Sequence, residues 1–182
     1  MKRIGLLVFC MIGVSIHGLA QAPSDAMDKA LLAAPANLRE GATVIKWNPD
    51  FTYETLKKGS NRLVCYDKSG QPEMQAFMVE CTSLGNLDRA AQNMKFEAGG
   101  DKAKTQAMLA AAEKDGTRVK PEYGSVWYHA MGADKDHVRM HMTIAVPGAT
   151  SQSIGLPDNP KEGGVWIMNA GTTTAHLMTP GE

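Results

Sequence analysis

Cys65 and Cys81 limit the fold of this chain more than any other pair of residues. A bond between them would tie two neighbouring segments together. Closing a loop of that length adds roughly 3 kcal/mol by restricting the unfolded chain. Whether the bond forms depends on where the protein resides, and the N-terminus speaks to that. Lys2 and Arg3 precede "IGLLVFCMIGVSI", an apolar run too short to cross a bilayer, and Gly18-Leu19-Ala20 supplies a small-x-small cleavage pattern. Cleavage after Ala22 would leave Pro23 at the scissile bond, so we place the cut after Ala20. Cys10 then leaves with the signal; its position inside the apolar run, after Phe9, fits no lipid-attachment signal. The expected organisation is a signal peptide at 1–20 and a single secreted or periplasmic domain at 21–182. In that oxidising setting an even pair of cysteines reads as a disulfide. The spacing is too long for the Cys-x-x-Cys of a redox-active dithiol.

The full chain carries 19 Lys and Arg against 19 Asp and Glu; losing Lys2 and Arg3 leaves a net charge of −2. A near-neutral domain has no electrostatic footprint for nucleic acid. No second apolar run approaches membrane length, so no stable membrane insertion is expected after signal cleavage.

Hydrophobic periodicity then divides the domain into blocks. In "SDAMDKALLAAP", Met27, Ala30, Leu31 and Ala34 form one helical stripe, with Ser24 as candidate N-cap and Pro35 as the stop. "GATVIKW" and "FTYETLKKG" flank the turn residues "NPD" and read as a hairpin. "RLVCYD" follows as a strand, and "AFMVECTS" is an apolar run that fits strand or helix. Leu87, Ala90, Ala91 and Met94 open a helical block that breaks at Gly99-Gly100. A second helix spans "DKAKTQAMLAAAEKDG", with Asp101 at its start and Gly116 just past its end. Its Ala103, Ala107, Ala110 and Ala111 make a small-residue face suited to close packing on a sheet. The chain then returns to period two in "SVWYHAM", "HVRMHMTIAV", "GVWIMNA" and "TTAHLM". Strands, then helices, then strands predict an α+β domain: a mostly antiparallel sheet with two or three helices and one disulfide.

The segment with most chemistry is "HVRMHMTIAV". On a strand, Val138, Met140, Met142, Ile144 and Val146 share one face, and His137, Arg139, His141, Thr143 and Ala145 the other. The unbroken apolar set makes Met140 and Met142 expected core residues. Thioether and imidazole ligands suit a soft metal, but here they point to opposite faces, with the fixed charge of Arg139 between the two histidines. No metal or other cofactor is therefore expected. His176 shares a face with Thr172, Thr174 and Met178. If its strand lies near 137–146, His141 and His176 would line one polar pocket. "ADKDH" places acids beside His137, in a pattern typical of a solvated turn. No G-x-S-x-G elbow, H-E-x-x-H helix or phosphate-binding glycine loop is present.

Several segments together resemble a group of small secreted bacterial proteins of unknown function. They are the Gly59-Ser60-Asn61 turn leading to Cys65, then Cys81, His141 with Pro147, and "GLPDNPKEGGVWIMNAGTTTAHLM" from Gly155 to Met178. The likeness covers roughly residues 41–82 and 125–179. This chain departs from the pattern at Arg62, where glycine is expected, at Leu63, where an aromatic is expected, and just before His141. The resemblance implies export and a disulfide. It selects His141 and His176 as ligand-binding candidates; Thr174, on the same strand face as His176, and Asn61, at the turn, are added to them. His141 and His176 are also the only candidates for catalysis. It implies no reaction. The function expected is that of a non-catalytic domain binding a small molecule or a protein. The alternatives are a hydrolase-like enzyme using His141 and His176, and a periplasmic copper or other metal handler.

Overall fold

The computed structural model describes residues 23–179; the expected signal sequence lies outside the described residues. Helix α1 (Pro23–Ala30) passes into a short 3-10 turn at Leu31–Ala33, and α2 (Ala36–Arg39) is a single turn. α1 begins one residue ahead of the expected cap, so Ser24 lies within its first turn. The strands are β1 (Thr43–Trp47), β2 (Tyr53–Lys57), β3 (Leu63–Asp67), β4 (Phe77–Ser83), β5 (Val126–Gly132), β6 (Val138–Ala145), β7 (Trp166–Met168) and β8 (His176–Met178). Between β4 and β5 come α3 (Leu87–Glu97) and α4 (Lys102–Lys114), and α5 (Ser151–Ile154) lies in the Pro-rich connection after β6. The strands form one eight-stranded sheet in the order β2-β1-β3-β4-β5-β6-β8-β7. Every pairing is antiparallel except β1 with β3. This is the α+β domain read from the sequence. The ambiguous run 76–83 resolves as strand β4, flanked on both sides by β3 and β5.

Cys65 and Cys81 are directly opposed on β3 and β4, with Cα atoms 4.1 Å apart, and are bonded. Their side chains point to one face of the sheet, where the N-terminal layer covers them. Val44, Leu63, Phe77, Val79 and Ala130 from the sheet pack there against Ala30, Leu31, Ala33 and Ala34, all buried. The face is almost wholly apolar, and its burial supplies the usual area-proportional stabilisation.

The opposite face meets α3. Leu87 and Ala90 pack on Ile45, Val64 and Tyr66, with Trp47 and Trp127 at the margins. α4 rests on α3, with the Thr105 hydroxyl donating to the Phe96 carbonyl at 3.0 Å, and Ala103, Ala107, Ala110 and Ala111 face solvent. The expected close alanine–sheet contact is therefore corrected: α3 already occupies that face. The helix ends are as expected, with the Asp101 carboxylate accepting from Ala103 N and Lys104 N, and Gly116 at φ +70°. A third cluster, Val146, Ala149, Ile167 and Ala175, anchors the connection that carries α5.

The expectation that Met140 and Met142 are core is also corrected. Met140 is 55% exposed and Met142 39%. They do lie on the face that the N-terminal layer packs against, opposite Ala130 and Tyr128 of β5. That layer lies chiefly over β3, β4 and β5, and of β6 only Val138 packs against its cluster, so the apolar face of β6 continues past its cover. The strand's other face is the more enclosed: Thr143 and Ala145 are buried there.

Candidate functional site

The sheet face under α3 is the unusual one. Along β4 the residues pointing to it are Met78, Glu80 and Thr82; β5 contributes Trp127 and His129, and β6 contributes His141, Thr143 and Ala145. Register then sets the juxtapositions. Glu80 pairs with His129, His129 with His141, Thr143 with Trp127, and Ala145 with His176 of β8. Side chains opposed on neighbouring strands lie within contact distance, so a row of polar groups crosses the sheet. α3 roofs only part of it, leaving a cavity of about 340 Å³ whose lining includes Glu80, Arg89, His129, His141, Thr174 and His176.

At one end the cavity floor is a buried charge cluster. The Glu80 carboxylate accepts a hydrogen bond from Tyr66 Oη at 2.9 Å and lies 3.6 Å from Lys68 Nζ, which also donates to Glu97 at 3.2 Å. His129 Nδ1 is 3.3 Å from Glu80 Oε1. That nitrogen makes no directed hydrogen bond, so the contact is electrostatic in character. Burial by itself would raise the Glu80 carboxyl. The ammonium of Lys68, the His129 imidazole and the Tyr66 hydroxyl outweigh it and hold the group down at about 2. Tyr66 is pushed well above its ordinary range by its own burial and by the charge of Glu80. Glu80 is thus a fixed anion, and Lys68 its fixed counter-ion.

The imidazoles stand between this cluster and the open side. The His129 and His141 rings stack with centroids 5.8 Å apart and planes 28° apart. Burial lowers the His141 pKa, and the neighbouring His129, Arg139 and His176 lower it further. His141 therefore stays neutral to a lower pH than a free histidine. His176 Nδ1 donates to the Thr174 carbonyl at 2.7 Å, which assigns the proton to Nδ1 and leaves Nε2 as the basic nitrogen. The far end of the cavity holds Arg89, 4% exposed. Its guanidinium donates to the Val119 carbonyl, to Thr173 Oγ1 at 3.2 Å and to Thr174 Oγ1 at 2.7 Å. Burial, and then the like charge of Arg118, depress its pKa to about 10, so it remains protonated.

Of the candidates named from sequence, His141, His176 and Thr174 come together in this cavity. β6 and β8 are directly paired, the nearer of the arrangements open to them. Asn61 is elsewhere. Its side chain donates to the Leu38 carbonyl at 2.8 Å and accepts from Leu63 N at 2.9 Å. The Gly59-Ser60-Asn61 turn clamps the 38–43 segment: Ser60 N and Asn61 N both donate to the Gly41 carbonyl. A Cβ on Gly59 would lie 2.2 Å from that same oxygen, so only glycine fits. The resemblance at this turn thus coincides with a backbone clamp, on the rim of a different, more open cavity lined by Leu63, Glu122 and Tyr128. His137 is exposed and bonded to Asp134 in the β5–β6 turn.

Sequence reasoning missed His129, Glu80, Lys68 and Arg89. A signal existed for Glu80, a lone acid inside the apolar strand "FMVECTS". His129 could be found only by pairing β5 with β6. Among the described residues no three His, Cys, Asp or Glu side chains are grouped closely enough to hold a metal ion. Comparison with protein-family models, with curated proteins and with solved structures finds no match to this chain.

Proposed function

We propose that this chain is an exported, non-catalytic binding domain that takes a small polar molecule in the cleft between α3 and strands β4, β5, β6 and β8. One observation carries the reading: three imidazoles from three different strands open onto one cavity, over a buried charge cluster in which Glu80 is paired with Lys68 and bonded by Tyr66. Concave sites with a few convergent polar groups are where small ligands bind. Export follows from the N-terminal pattern and agrees with the Cys65–Cys81 bond. Among the described residues no helix is long and apolar enough to cross a membrane. The test is a thermal-shift screen of small metabolites and of Cu, Zn and Ni ions, because a ligand selective for the native state raises its Tm. Hits are then mapped by NMR on the histidine rings. Ligand-induced shifts at His129, His141 and His176 support the reading; hits that bind with those rings undisturbed sink it.

The geometry at Glu80 favours one second reading, acid–base catalysis. An anion beside His129 would stabilise an imidazolium formed as that ring accepts a proton. His176, with its proton fixed on Nδ1, offers a second base at Nε2. A substrate that turns over in the wild type and not in His129→Ala or His176→Ala would promote this reading above simple binding. For the copper reading the geometry offers less: Met140 and Met142 are on the face of β6 opposite His141.

A further inference from the structure

Charge around the cleft is unevenly matched. At one end Glu80 and Glu97 share Lys68. At the other, Arg89 and Arg118 are both buried, at 4% and 5% exposure. Neither forms an ion pair with a carboxylate among the described residues. Arg118 donates to Gln92 Oε1 and Asn93 Oδ1, and Arg89 to the Val119 carbonyl and two threonine hydroxyls. Glu113, whose charge acts on both arginines, is bonded to Thr173, whose N–H and hydroxyl each donate to one of its oxygens at 2.6 Å. Glu97 also acts on Arg118, but neither carboxylate forms an ion pair with either arginine among the described residues. A guanidinium has five N–H donors. Three of those on Arg89 meet neutral oxygens, and the remaining two have no acceptor among the described residues. Arg89 lines the cavity, beside Asn93, Thr174 and His176. A buried charge without a counter-ion is costly unless a ligand supplies one. A planar fork of free N–H groups is matched by the paired oxygens of a carboxylate or phosphate.

We infer that the molecule bound in this cleft carries a carboxylate or phosphate group seated on Arg89, with its body against His141 and His176. This rests on the cleft being a binding site and adds the class of ligand. Protonation of His141, whose pKa is lowered by burial, adds positive charge along the same wall, so anion affinity rises as pH falls below the ordinary histidine range.

The experiment is an NMR titration of the mature chain, following the histidine ring and arginine side-chain signals with acetate, inorganic phosphate and neutral acetamide as probes. Saturable shifts at Arg89, His141 and His176 with acetate or phosphate, and none with acetamide, are expected. The anion that binds more tightly tells carboxylate from phosphate. Arg89→Gln should weaken binding roughly tenfold or more, the scale of losing a hydrogen-bonded charge, and Arg89→Lys should weaken it less. Should Arg89→Gln fail to fold, the wild-type titration decides: anion shifts confined to other surfaces overturn the inference. Acetamide binding as well as acetate also overturns it and leaves the cleft reading standing. If neither these probes nor any molecule of the wider panel perturbs the cleft, both fall together.

Discussion

The two faces of the sheet are built from the same strands and do opposite things. The face under α1 carries Val44, Leu63, Cys65, Phe77, Val79, Cys81 and Ala130, an apolar surface closed by a disulfide. The face under α3 carries Glu80, Thr82, His129, His141 and Thr143 on the same central strands. Residues one position apart on β4 thus split: Val79 goes to a dry core and Glu80 to a charge cluster. Apolar burial stabilises without direction, so the first face makes few demands on side-chain geometry. Buried charge is tolerated only with its partners in place, so the second face must be held in register by the first. A rigid apolar face behind a polar one is a sound base for a binding cleft.

The largest test of that contrast removes the anion. Glu80→Ala strands Lys68, Tyr66 and His129 beside a void and should cost roughly 3–5 kcal/mol in urea denaturation, as breaking buried pairs does. A loss below about 1 kcal/mol would mean the polar face contributes little to the fold. The same group sets an acid limit. Its carboxyl is depressed in the native state, so the stability it confers is present above its ordinary value of 4.5 and is lost as pH falls from there towards about 2. Denaturation midpoints measured across that window should decline, and the Glu80→Ala variant should decline less.

On the apolar face, reducing Cys65–Cys81 should lower stability by roughly 3 kcal/mol, read from denaturation with and without reductant. Peptide mapping under non-reducing conditions should recover the linked pair. Met140→Ala and Met142→Ala should fall within about 0.5 kcal/mol, as exposed positions do. A loss of about 2 kcal/mol or more, the scale of a core truncation, would show that something covers the uncapped end of that face.

The smallest effect is also the most local. His141 binds its proton less readily than a free histidine because of burial and the charges of His129, Arg139 and His176. A group with a depressed basic pKa favours the fold while neutral; its contribution is lost as pH falls through the ordinary histidine value of 6.5 towards the lower folded one. Removing either neighbouring ring should raise the His141 pKa in an NMR titration. A His141 titration unmoved by both changes would break the row apart.

The strands, both long helices after β4, the pairing of Cys65 with Cys81 and the meeting of His141 with His176 were all legible in the chain. Each rests on a local rule: period two, period 3.6, cysteine parity, or short connections between successive strands. The misplacements share one cause. Periodicity says that Met140 and Met142 share a face, and that Ala103, Ala107, Ala110 and Ala111 share another. It carries no information on which layer lies over that face or where the layer ends. The N-terminal layer reaches only the start of β6, at Val138, and α4 rests on α3, so both apolar sets end in solvent. His129 and Arg89 were invisible for the same reason: one depends on the β5–β6 register, the other on how α3 docks. The amino-acid sequence by itself determined the α+β class, the disulfide and two of the three imidazoles, because those follow from neighbours along the chain. Only the tertiary structure decided which face became core and which became cleft, because burial, and with it every shifted charge in the site, depends on segments far apart in sequence.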